Sequence, residues 1–281
     1  MSKSLFKRVT ARFRKNKLYS IALQLTGNTL QDKKWIIILG CYNSGTTLLD
    51  KLLSTHPEIA GLDEEGVMLT NQLPRPEDYG WRRMWFKCEE NMKIDNSDVQ
   101  KADVIKRHWS HFFDTQKHYL LEKSIANICR IQFFEENFDS PYFIHLVRNG
   151  YAVAEGIHRK AYVMKQNCHL GERYPMAYCA EQWTRSIQLV ENSKGSLRHF
   201  IEVSYENLVN DTPATLNSIF AFIGLRKTNY QFENHNFKVH EKNSPVMNMN
   251  KTSFDSLTKD QINVISDIAG EKLHQYNYKI L

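Results

Sequence analysis

Trp35-Ile36-Ile37-Ile38-Leu39-Gly40-Cys41-Tyr42-Asn43-Ser44-Gly45-Thr46-Thr47 is the stretch on which the fold class turns. Its first five residues are apolar, rich in β-branched side chains and free of charge, which suits a strand covered on both faces in a parallel sheet. Gly40 ends the run, and residues 46–54 then repeat apolar side chains at spacings of three and four, the pattern of a helix. Gly40 and Gly45 bound a loop that matches the phosphate-loop pattern G-x-x-x-x-G-K-[ST] at every fixed place but one, because Thr46 stands where the Lys belongs. Glycines at both ends let backbone N–H groups turn inward, and the helix that follows adds partial positive charge, so an anion is expected there. The missing Lys is the side chain that reaches the outer phosphates of a nucleoside triphosphate. A nucleotide whose reactive group lies one bridge from a single phosphate fits the loop better, held by hydroxyls and N–H groups without a metal.

Outward from this loop, a second buried-type run covers residues 142–147 and stops at Arg148, with weaker runs at 119–121 and 199–203. Helical spacing predicts helices over 46–54, 99–113, 125–137, 151–164, 176–192 and 213–223. Strands alternating with helices predict an α/β protein, a P-loop-type parallel central sheet flanked by helices in a single domain over residues 35–281. Residues 56–88, richer in Pro, Gly and acids, and the polar, irregular stretch 232–254 are predicted to lie over the sheet edge as functional loops.

Composition agrees with one packed chain: 281 residues, 42% hydrophobic and 24% charged, exclude disordered, collagen-like and coiled-coil classes. The five cysteines form no close pair and no ligand spacing, which argues against zinc sites and disulfide frameworks. Charge is uneven. Residues 1–34 carry nine Lys or Arg and one acid, Asp32, leaving 28 basic against 30 acidic residues in the rest, so no broad nucleic-acid-binding face is expected. Residues 1–34 are predicted as a basic helical extension with Leu5, Phe6, Val9 and Phe13 on one face. That face either packs on the chain's own domain or makes a weak contact with an anionic membrane surface. No apolar run reaches the ~18 residues of a membrane span, the N-terminus lacks a secretory pattern, and a cytoplasmic protein is expected.

Two further features bear on chemistry. Asp63-Glu64-Glu65 concentrates three carboxylates soon after the loop's helix; crowded like charges raise at least one pKa and suit a general base, while a solvated acidic turn is the plain alternative. Arg148 stands at the C-terminal end of a predicted strand, the edge where open α/β sheets bind ligands. His108 and His111 share an aromatic helix without a third ligand spacing, so no metal site is predicted and they are kept as reserve bases.

Three ordered segments, NSGTTLLDKLLSTHPEI (43–59), HLVRNGYAVAEGIHRK (145–160) and SYENLVNDTPATLNSIFAFIGL (204–225), resemble the sulfotransferases that use 3′-phosphoadenosine 5′-phosphosulfate (PAPS), especially the branch acting on carbohydrates and protein tyrosine. The likeness runs over about residues 35–225. It implies that Ser44, Gly45, Thr46 and Thr47 grip the 5′-phosphosulfate, that Arg148 binds the 3′-phosphate, that Arg159 is a second basic contact and that Tyr205 lies near the nucleotide. It also implies a carboxylate base after the His-Pro segment, Glu65 with Glu64 as the neighbouring choice, and Lys123 of Glu122-Lys123-Ser124 as the electrophile that steadies the transferring group. The polar stretch 242–251 is similar to the family's late loop over the nucleotide. Two places depart from the family. Asn43 stands where an Arg usually precedes Ser-Gly-Thr, so amide hydrogen bonds replace a cationic contact, and Gly156 stands where many members hold the 3′-phosphate with a Ser.

The implied activity is sulfuryl transfer to an acceptor hydroxyl, with PAPS as co-substrate and no metal. A carbohydrate acceptor is expected from Trp81, Trp85, Phe86 and Trp109, aromatic residues that could stack on sugars, whereas Trp183 reads as helix packing. A P-loop kinase using ATP with Mg²⁺ and a catalytically degenerate nucleotide-binding scaffold are the competing readings.

Overall fold

β1 (Lys34–Gly40) is the central strand of the computed structural model, which describes residues 3–62, 64–227, 237–239, 242–244 and 246–281. Its alternating side chains serve two cores. Trp35, Ile37 and Leu39 pack with Trp109, Phe134 and Phe138 on one face, while Ile36 and Ile38 pack with Leu49, Leu52 and Phe220 on the other. A strand buried on both faces needs apolar residues at every position, which is why this run lacks the polar alternation of a half-exposed strand.

β2 (Ile59–Gly61), β3 (Tyr119–Glu122), β4 (Tyr142–Val147) and β5 (His199–Ser204) complete a five-stranded sheet in the order β2-β3-β1-β4-β5. All four pairings are parallel, so every strand delivers its C-terminal end to one edge. From β1 the chain runs to the edge strand β2, returns to β3 beside β1, and then crosses to β4 and β5 on the other side; the crevice at such a reversal of strand order is where open α/β sheets seat ligands.

Helices cover both faces: α1 (Lys3–Phe13), α2 (Lys17–Thr26), α3 (Thr46–Leu53), α4 (Glu89–Met92), α5 (Val99–Ser110), α6 (Ile131–Asn137), α7 (Gly150–Lys160), α8 (Met176–Lys194), α9 (Tyr205–Asn210), α10 (Thr212–Phe222), α11 (Asn250–Phe254) and α12 (Lys259–Gln275). The predicted helix over 125–137 is a 3-10 segment, Ile125–Arg130, followed by α6. The helix predicted to reach residue 164 stops at Lys160, where Ala161 turns extended. β2, only three residues long, lies inside the stretch 56–88 expected to be all loop. Of the stretch 232–254, residues 232–236, 240, 241 and 245 lie outside the described residues. The described part is more regular than expected, with an antiparallel pair β6 (Phe237–Val239) and β7 (Lys242–Ser244) followed by α11.

The basic N-terminal extension is helical and rests on the domain. Phe6 stacks on Phe112 with ring centres 5.2 Å apart. Arg14 is buried and donates to both carboxylate oxygens of Asp78 at 2.6 Å, and α2 packs along α5. Part of the apolar face of α1 is therefore covered by the chain itself. Among the described residues no helix is long and apolar enough to cross a membrane.

Candidate active site

The glycine-bounded loop leaves β1 and enters α3 through two left-handed residues, Asn43 at φ +64° and Gly45 at φ +97°. Asn tolerates that region better than most side chains. Gly45 has a second reason to lack a side chain, since a Cβ there would stand 2.6 Å from the Tyr205 ring. Thr46 opens α3. Together with Asn43, Thr47 and Arg148, these residues line a cavity of about 240 Å³ at the C-terminal edge of the sheet.

The ends of β4 and β5 build the second wall. Arg148 follows β4 and is buried; its Nε donates to Asn250 Oδ1 at 2.8 Å and its Nη1 to the Asn43 carbonyl at 2.8 Å. Its remaining Nη2 is buried without a partner, as is Asn43 Nδ2. The guanidinium lies over the Tyr205 ring, 4.3 Å from its centre. The Tyr205 hydroxyl donates to the Met247 carbonyl and accepts from the Met249 N–H, both at 3.2 Å, which pins the late segment against the site. Val246, Met247 and Met249 line the cavity from that side.

Positive charge crowds this wall. Arg83, Arg148, Arg159 and Lys160 all line the cavity. Burial, helped by Arg159, Arg83 and Arg148, pushes the Lys160 ammonium down to about 8, and burial also lowers Arg148. Arg159 is more exposed and is held by Glu155, with Nε to Oε1 at 2.6 Å. Buried cations without a matching acid are costly unless an anion joins them.

The opposite wall comes from the ends of β2 and β3. Lys123 Nζ donates to Glu65 Oε1 at 3.0 Å across 58 residues of sequence. Burial opposes the Lys123 charge, but Glu65 and Asp50 outweigh it and the ammonium is held above its usual range. Glu65 faces the cavity. Its position is braced from below: the Gly66 N–H donates to Glu122 Oε1 at 2.9 Å and the Val67 N–H to Ser124 Oγ at 3.1 Å. Trp109 Nε1 donates to the Gly66 carbonyl at 3.0 Å. Glu122 also accepts from Ser124 Oγ and Asn127 Nδ2, and burial pushes its carboxyl up to about 7.

The structure thus brings Asn43, Gly45, Thr46, Thr47, Glu65, Arg148, Arg159 and Tyr205 to one cavity and sets Lys123 behind Glu65. Ser44 is buried under the loop and outside the cavity lining, and Glu64 is solvent-exposed. Asp63 lies outside the described residues. The reserve bases are elsewhere: His108 bonds Thr70 Oγ1 at 2.9 Å and the Ser20 carbonyl at 3.0 Å, and His111 bonds the Leu23 carbonyl at 2.9 Å, so both hold α2 to α5.

The aromatic residues expected to stack on sugars are used for packing. Trp85 and Trp109 are fully buried, Trp81 stacks near Tyr174, and Phe86 packs against the core. Trp183 packs on Gly150 and donates to the Arg148 carbonyl at 2.9 Å. Sequence reading missed Asn250, which orients Arg148, and the cavity cations Arg83 and Lys160. Lys160 follows Arg159 directly and was within reach as a paired basic signal at a helix end; Asn250 lies in the late stretch 242–251 that the resemblance marks only as a whole, and Arg83 sits in an irregular segment with no pattern to mark it.

Comparisons with known proteins identify the family and the fold. The model of a family described as Sulfotransferase family matches residues 36–229. Protein-tyrosine sulfotransferase 2 of Gallus gallus is 24% identical over 207 residues, covering 68% of this chain and 51% of that protein. The chain thus spans about half the length of the curated relative it matches. Among solved structures, the sulfotransferase domain from the curacin biosynthetic pathway has a TM-score of 0.58 at 18% identity, covering 89% of this chain and 99% of that one. The sulfotransferase domain from the Synechococcus PCC 7002 olefin synthase has a TM-score of 0.56 at 18% identity, covering 91% and 99%. At these identities the two structures speak for the fold.

Proposed function

Because the chain belongs to the sulfotransferase family, we propose that it moves a sulfuryl group from PAPS to an acceptor hydroxyl. The observation that carries this reading is the buried Arg148 guanidinium at the end of β4, its Nη2 left unpartnered, on a cavity that is also lined by the glycine-bounded loop. An anionic nucleotide with phosphates at both ends of its ribose fits that donor set, since charge-assisted bonds from buried donors to phosphate are the strong ones. Gly45, Thr46 and Thr47 would hold the 5′ end and Arg148, Arg159 and Tyr205 the 3′ side.

When bound, PAPS supplies the sulfuryl group. Glu65 takes the proton from the acceptor hydroxyl, a base role that needs a carboxylate within reach of the open cavity. Lys123 keeps Glu65 oriented, and its ammonium adds positive charge where negative charge builds during transfer. The Glu122-Lys123-Ser124 clamp holds both partners, so the base is positioned by a rigid strand end. The late segment 246–249, tied to Tyr205, closes one side of the cavity and limits the entry of water. The acceptor is proposed only as a hydroxyl compound, because the aromatic residues that suggested a sugar are packed in the core or on its flank.

Calorimetric titration with 3′-phosphoadenosine 5′-phosphate, with ATP and Mg²⁺ as the comparison, tests the reading. Micromolar binding of the first that disappears in Arg148→Ala supports it. A preference for ATP with Mg²⁺, or no binding of either, would return the site to the kinase or scaffold readings.

A further inference from the structure

The two departures from the family pattern, Asn43 and Gly156, are neighbours in space. A Cβ built on Gly156 would stand 2.9 Å from Asn43 Cβ, 3.0 Å from Cγ and 3.4 Å from Nδ2. Gly156 is buried in the interior of α7, a place where glycine weakens a helix, so its missing side chain calls for a reason. The neighbour supplies one. Asn43, in the left-handed region, sets its amide against α7, in the room that Gly156 leaves. Its carbonyl meanwhile accepts from Arg148 Nη1 at 2.8 Å, so the loop and the strand-end arginine are locked together. The result is a pair of buried donors without partners, Asn43 Nδ2 and Arg148 Nη2, on two cavity-lining residues that touch each other.

A buried N–H donor without an acceptor is unfavourable, and an amide and a guanidinium nitrogen both left so at a cationic cavity point to the same missing anion. We propose that Asn43 and Gly156 act as one device: α7 gives up a side chain at 156 so that Asn43 Nδ2 joins Arg148 Nη2 on the 3′-phosphate of the nucleotide. This rests on the proposed nucleotide, but it assigns Asn43 to the 3′ end instead of the phosphosulfate end, and it makes the residues at 43 and 156 dependent on each other. A side chain at 156 and an Asn at 43 exclude one another; a small hydroxyl at 156 becomes acceptable once 43 is glycine and its Cβ is gone.

Calorimetry with two probes, 3′-phosphoadenosine 5′-phosphate and adenosine 5′-phosphate, separates the outcomes. Asn43→Ala is expected to weaken the first at least 10-fold and the second less than twofold, since only the first carries the 3′-phosphate. Gly156→Ser alone is expected to weaken the first by a similar factor through the collision with Asn43. In the double variant Asn43→Gly/Gly156→Ser, read against Asn43→Gly alone, the contact with the Cβ at 43 is gone as well, the serine hydroxyl takes the vacated place and affinity returns to within about threefold of the starting protein. Thermal melts confirm that each variant is folded, and Asn43→Ala alone keeps the test alive where Gly156→Ser unfolds. Equal losses on both probes would place Asn43 at the 5′ end and overturn the proposal. So would an unchanged Asn43→Ala or losses that simply add in the double variant. Failure of the unsubstituted protein to bind either probe would instead overturn the nucleotide reading itself.

Discussion

The two walls of the cavity are built from the same kinds of residue and left in opposite states. At the ends of β2 and β3, the polar groups answer one another: Glu65 has Lys123, and Glu122 has Gly66, Ser124 and Asn127. At the ends of β1 and β4, cations outnumber acids, Lys160 is pushed down to about 8, and Arg148 and Asn43 each keep a buried donor without an acceptor. A closed wall is ready to position a proton without any ligand. An open wall is completed only by an anion. The difference separates what the protein holds in place by itself from what it needs its co-substrate to finish, so binding and chemistry should fail independently when each wall is altered.

The sharpest way to break that separation is at Glu65. Glu65→Gln keeps the shape of the closed wall but removes the base, and turnover is expected to fall by about 10² to 10⁴. Affinity for 3′-phosphoadenosine 5′-phosphate should stay within about threefold; a parallel loss of affinity would show that the walls are not distinct. Arg148→Ala attacks the open wall. Truncating one partner of a buried charge pair typically costs about 2–5 kcal/mol, so nucleotide affinity measured by calorimetry should drop roughly 30- to 5,000-fold. A drop below threefold would remove Arg148 from the binding role.

Gly45→Ala tests the loop that joins the walls. It forces a side chain into a left-handed position and against Tyr205. Backbone strain of about 1–3 kcal/mol predicts nucleotide binding weaker by roughly 5- to 150-fold, with the Glu65–Lys123 pair untouched. The smallest effect is a proton. Lys160 is about half-protonated near pH 8 in the free protein, and a bound phosphate favours its charged form, so binding should take up a fraction of a proton at that pH. At pH 6.5, well below the lowered value, Lys160 is already charged and its uptake should vanish. Titrations in buffers of different ionisation enthalpy measure it, and Lys160→Met should abolish the uptake seen at pH 8.

Much of this site could be read before any coordinates. Gly40, Gly45 and Thr46 announced a strand, an anion loop and a helix because all three signals are local. Arg148 was legible for the same reason, as a cation closing an apolar run. The choice between Glu64 and Glu65 was not, since adjacent residues in a turn carry the same chemistry and only the backbone path decides which one meets Lys123. Trp85 and Trp109 misled, because an aromatic side chain looks alike in sequence whether it packs a core or faces a ligand.

The sequence by itself determined most of the sheet: four of its five strands, their parallel sense and the residues at their ends follow from local runs, breaks and spacings, whereas the three-residue β2 is too short to leave such a run. Only the tertiary structure decided which end groups are satisfied. Lys123 reaches Glu65 across 58 residues, Arg148 reaches the Asn43 carbonyl across 105, and the Asn43 side chain has room because Gly156, far along the chain on α7, has none. Hydrogen bonds and contacts of that kind depend on distance and direction in space, and no local pattern in the chain encodes either.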